Sequence, residues 1–62
     1  MPKLKEIMEE KGVTVRQLAE MAGVSIQTIM RARGPEIDTC TVAVLESIAS
    51  ALGVSVKDLF EE

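Results

Sequence analysis

Aromatic residues are nearly absent from this chain. There is no Trp or Tyr, and Phe60 is the single Phe. Binding of RNA or single strands through stacked bases needs aromatic platforms, so that class is disfavoured. Histidine is missing altogether, and Cys40 is the one cysteine. No internal disulfide can form, and a zinc site built from protein ligands alone is disfavoured too. No nucleophile–base pair, phosphate-cradling glycine loop or pocketed carboxylate dyad can be picked out. Glu9-Glu10 and Glu61-Glu62 read as solvated charge at helix ends. The expectation is therefore no enzyme, no catalytic residues, no cofactor and no metal. Long apolar runs are also missing. Neither a secretory signal nor a membrane span is expected, which points to the cytoplasm, or to the nucleoid of a cell without a nucleus.

Sixty-two residues, 47% of them hydrophobic, suit one small domain with an aliphatic core. The net charge of −3 is unevenly spread. Residues 1–10 sum to −1: Lys3 and Lys5 against Glu6, Glu9 and Glu10. Residues 11–35 sum to +3, with Lys11, Arg16, Arg31 and Arg33 against Glu20. Residues 36–62 sum to −5, with Lys57 against six acids. The local field at a contact face matters more than the total, so the acidic balance leaves a basic middle segment able to meet an anion.

Apolar residues recur at three and four rather than two, so helices are expected and strands are not. Pro2, Leu4, Ile7 and Met8 mark a helix over about 2–11, stopped by Lys11-Gly12. Thr14, with Gln17 three residues on, fits a capping box opening a helix over 15–22. Gly23 breaks that helix, and Ser25 caps the next, over 25–33. Gly34-Pro35 ends it, and residues 34–40 are expected to be a loop. Thr41 or Thr39 caps a helix over 41–52 with Val42, Leu45, Ile48, Ala49 and Leu52 on its buried face. Gly53 closes it, and Ser55 opens a short last helix over 55–61 that turns Val56, Leu59 and Phe60 inward. The sum is an all-α, five-helix domain over residues 1–62.

The stretch Val15–Arg33 organises the rest. Two short helices, a small residue at the crossing (Ala19) and a turn glycine followed by apolar anchors (Val24, Ile29) describe a helix-turn-helix. With all helices placed, LKEIMEEKGVTVRQLAEMAGVSIQTI and LESIASALGVSVKDLF together resemble the lambda-repressor-like, Cro-type (XRE) helix-turn-helix family over nearly the whole chain. That resemblance implies a transcriptional regulator binding operator DNA as a homodimer, with the third helix in the major groove. Two departures stand out. Val15 lies where relatives often carry a Gln that contacts the DNA backbone. Met8 and Arg33 lie where relatives often pair an Arg with a Glu. The matched loss avoids an orphan buried charge and frees Arg33 to reach a phosphate.

If Val24, Ile29 and Ala32 face the core, the third helix presents Ser25, Ile26, Gln27, Met30 and Arg31, with Thr28 at the edge. Gln27 can pair with adenine N6 and N7, and Arg31 with guanine O6 and N7. Ile26 and Met30 can meet thymine methyl groups. The resemblance also puts Ile26 and Gln27 where the family contacts bases. Arg16, Ser25, Thr28 and Arg33 are assigned to the DNA backbone. The opposite rotation would bury Ile26, Ile29 and Met30 as a core stripe and leave Ala32 outside. A separate alternative has Arg31 and Arg33 only complementing the helix C-terminus. Two further readings are a protein-interaction module of the same fold, such as an antitoxin component, and the DNA-reading domain of a longer repressor. The surface of the third helix separates DNA from protein: an open positive face favours DNA, and acids from 36–38 folded over it favour a protein partner.

Overall fold

The computed structural model describes residues 3–60 and is helical throughout, with no strand among those residues. Four α-helices, α1 (Leu4–Lys11), α2 (Val15–Ala22), α3 (Ile26–Arg33) and α4 (Val42–Leu52), are joined by short turns. Two single-turn 3-10 helices, Pro35–Thr39 and Val56–Leu59, complete the described chain. The five-helix expectation is corrected accordingly. The last segment makes one 3-10 turn rather than an α-helix over 55–61, and its expected end lies outside the described residues, as does Pro2. Four residues cannot support a ladder of i to i−4 bonds, and single turns of this length adopt the tighter form. The loop expected over 34–40 likewise contains a 3-10 turn, with Pro35 in its first positions and Ile37 buried.

Helix boundaries follow the caps. Thr14 and Gln17 close a reciprocal box: Gln17 N–H donates to Thr14 Oγ1 at 3.1 Å, and Thr14 N–H to Gln17 Oε1 at 3.0 Å. Gly23 ends α2 with φ +72°, a left-handed conformation that costs other residues roughly 1 kcal/mol or more. Val24 N–H then reaches back to the Ala19 carbonyl at 3.0 Å, which turns the chain sharply into α3. Ser25 accepts from Thr28 N–H at 3.1 Å, and Thr41, not Thr39, caps α4 through Val44 N–H at 3.2 Å. Thr39 instead donates its hydroxyl to the Glu36 carbonyl at 2.7 Å, inside the first 3-10 turn.

One apolar cluster draws on every element. Leu4, Leu18, Ile29, Ile48 and Leu59 are completely buried and come from α1, α2, α3, α4 and the last turn respectively. Helix α2 packs on α3 and α4, while α1 rests on α3 and the last turn. The two ends of the described chain are tied where Lys3 N–H donates to the Leu59 carbonyl at 2.7 Å. Val42, expected in the buried face of α4, is 67% exposed. It sits at the first helical position, roughly 70° around the helix from the centre of the Leu45, Ile48, Ala49 and Leu52 stripe. No helix among the described residues is long and apolar enough to cross a membrane.

In the last turn the Asp58 carboxyl is held by its neighbours. Ser55 backbone N–H (3.1 Å) and hydroxyl (2.9 Å) both donate to Asp58 Oδ2. The backbone bond first, then the hydroxyl, holds the Asp58 carboxyl below its ordinary value, helped by Lys57 and Lys3 and opposed by slight desolvation. A carboxyl depressed in the folded state stabilises fully above its unfolded pKa and loses that contribution as pH falls through the folded value. Acid unfolding of the wild type and of Asp58→Asn checks this. The two stability curves should differ above the ordinary carboxylate range and converge at lower pH.

Candidate nucleic-acid interface

Helix α3 is rotated by its core side. Ile29 and Ala32 are fully buried, and Val24 packs against the same cluster from the preceding turn. With 100° between residues, that choice sends Gln27 and Met30 outward, with Ile26 and Arg31 on either side. Ile26 is 47% and Met30 56% exposed, and Gln27 and Arg31 are exposed as well. The alternative rotation, with Ile26 and Met30 inside, does not occur. Thr28 is half-buried, and its hydroxyl lies 2.8 Å from Ser25 Oγ, so these two side chains bond each other at the helix start.

The N-termini of α3 and α2 add backbone donors. At α3, Ser25 satisfies Thr28 N–H, which leaves the N–H groups of Ile26 and Gln27 without an intrahelical acceptor. At α2, Thr14 satisfies Gln17 N–H and leaves those of Val15 and Arg16 in the same condition. Such groups, at the positive end of a helix dipole, suit phosphate oxygens without needing a basic side chain. Arg16 is exposed on the first turn of α2. Val15 is half-buried against the core, which accounts for an apolar residue there.

Gln27, Met30 and Arg31 line one shallow depression of about 280 Å³. Its fourth wall is Glu36, carried by the first 3-10 turn. The surface is therefore neither an uncompensated positive face nor one covered by acids. Asp38, two residues on, is on the wall of a different groove. Of the acids at 36–38 that the sequence offered as a cover for this face, Glu36 reaches its edge and Asp38 does not. The available signal was Ile37, a lone apolar residue in GPEIDTC, which anchors the segment in the core and so fixes its neighbour.

Arg33 stands apart from the other expected contacts. It lines a groove of about 590 Å³ with Lys5 and Glu6 of α1, Pro35, Asp38 and Phe60. Its side chain is half-buried, and Nε is buried with no hydrogen-bond partner among the described residues. Met8, at the other half of the replaced pair, is 3% exposed. Among the described residues the exchange leaves one buried donor, Nε, without an acceptor, while the guanidinium as a whole stays half-exposed rather than becoming an orphan buried charge. An unsatisfied buried N–H costs about 1–3 kcal/mol, whereas an apolar replacement of similar shape is neutral or better. Arg33→Met should leave stability unchanged or raise it by about 1 kcal/mol in urea unfolding; a loss above that figure would mean the guanidinium is well satisfied.

Comparison with known proteins gave no match among curated sequences and none among solved structures. A family model did match, over residues 3–61 of the 62, so that it spans α1 to the last turn and takes in the exposed face of α3. The chain belongs to the Cro/C1-type helix-turn-helix DNA-binding domain family.

Proposed function

We propose that this protein is a sequence-specific, repressor-like transcriptional regulator that binds double-stranded operator DNA as a homodimer. The observation that carries the reading is the rotation of α3. Burial of Ile29 and Ala32 leaves Ile26, Gln27, Met30 and Arg31 exposed together. In the major groove Gln27 would take adenine, Arg31 guanine, and Ile26 and Met30 thymine methyl groups. Arg16, Ser25 and Thr28, with the N–H groups opening α2 and α3, would hold phosphates. Arg33 belongs to this set only through its guanidinium tip. The cytoplasm or nucleoid is the matching location.

A single α3 reads one half-site, and two copies would read half-sites about 34 Å apart. We place the dimer surface on α4, where Val42 is exposed, and on the C-terminal turn, together with terminal residues that lie outside the described ones. The few cations near the reading face predict a shallow salt dependence. Selection from a random duplex pool, together with sedimentation of the free protein and of the complex, tests the reading. An inverted repeat bound by two chains supports it. Enrichment of a single asymmetric site bound by one chain overturns the dimer. No enrichment in about 50 mM salt, where non-specific attraction is strong, overturns DNA reading itself. The protein-partner alternative, such as an antitoxin role, has Glu36 in its favour, since an acid beside Arg31 suits a basic protein.

A further inference from the structure

Glu36 is an acid at the edge of a surface otherwise suited to DNA. Its position is firmly held. Ile37, the next residue, is 4% exposed in the core, Pro35 restricts the backbone before it, and Thr39 Oγ1 holds its carbonyl at 2.7 Å. The side chain itself is exposed and walls the same depression as Gln27, Met30 and Arg31. A carboxylate can only accept hydrogen bonds. Beside phosphates it would be repelled, so on this face it is tolerable only where the DNA offers a donor. The major groove offers two, adenine N6 and cytosine N4. Adenine N7, an acceptor adjacent to N6, would face the carboxylate unfavourably. Cytosine N4 has only a C–H beside it.

We propose that Glu36 is a specificity-determining residue that accepts a hydrogen bond from cytosine N4, within one base step of the guanine taken by Arg31. The inference rests on the DNA-reading function proposed above. The two side chains share one depression and carry opposite charge. A G·C pair has the matching asymmetry, with guanine O6 and N7 as acceptors and cytosine N4 as donor. The acid also lowers affinity for DNA in general, which sharpens the contrast between the operator and other sequences.

Selection from a random duplex pool with the wild type, Glu36→Ala and Glu36→Gln tests the assignment. All three should fold alike, because the side chain is exposed. The wild type should require cytosine at one position of each half-site. Glu36→Ala should lose roughly tenfold discrimination at that position alone and bind unrelated duplexes more tightly. Glu36→Gln should shift the preference there towards adenine, which a glutamine pairs with through N6 and N7. A wild-type site that both variants select with the same base preferences overturns the proposal while leaving DNA reading intact. If the wild type selects no site, both readings fall together.

Discussion

Leu18→Ala should remove a large part of the stability of this domain. Leu18 is fully buried where α2 meets the rest of the core. Truncating a buried leucine costs about 2–5 kcal/mol, because the lost transfer energy is joined by a residual cavity. A folded chain of this size holds only about 3–9 kcal/mol in all. A measurable unfolded population is therefore expected at 37 °C, and DNA binding should fall with it. Met21→Ala, one helical turn away but at a 55% exposed position, is the control. It should change stability by no more than about 0.5 kcal/mol. Urea unfolding of both variants checks the pair; equal losses would contradict the packing described here.

Gln27→Ala should act on recognition rather than on the fold. Gln27 is exposed, so urea midpoints should stay within about 0.5 kcal/mol of the wild type. On the selected operator the loss should be about 1–3 kcal/mol, or roughly fivefold to 150-fold. That loss should vanish on an operator whose matching adenine has been replaced, because the missing pair can be removed only once. Binding isotherms of both proteins on both duplexes make the cycle. A uniform loss on the two duplexes would assign Gln27 to the backbone instead of a base.

What was legible in the sequence was mostly punctuation. Thr14 with Gln17, Ser25, Thr41 and the glycines at 12, 23 and 53 carry their own local chemistry, so α1 to α4 begin and end within a residue or two of where those signals put them. The rotation of α3 was legible as well, since only one setting uses Val24, Ile29 and Ala32 together. What escaped depends on neighbours distant in the chain or on single turns. A segment as short as Val56–Leu59 has no periodicity with which to separate a 3-10 turn from an α-helix. Val42 looks like a core residue by type and spacing, but at the first turn of α4 it is left exposed by the described residues. Arg33 reads as a free cation until its Nε is found buried and its side chain in a groove with α1 and Phe60. That Glu36 rather than Asp38 would meet the outer face of α3 depends on Ile37 anchoring the first 3-10 turn in the core, a packing decision that local sequence does not state.

The central claim is that the outer face of α3 and the N-termini of α2 and α3 meet DNA. Amide chemical-shift mapping during titration with duplex DNA at about 50 mM salt tests it most directly, since it needs neither the operator nor the oligomeric state to be known. Shifts are expected to concentrate at residues 14–17 and 25–31 and to extend to Glu36, with the α1 amides nearly still. Shifts confined to α4 or to the groove around Arg33 and Phe60, or none at all at that salt, would contradict it.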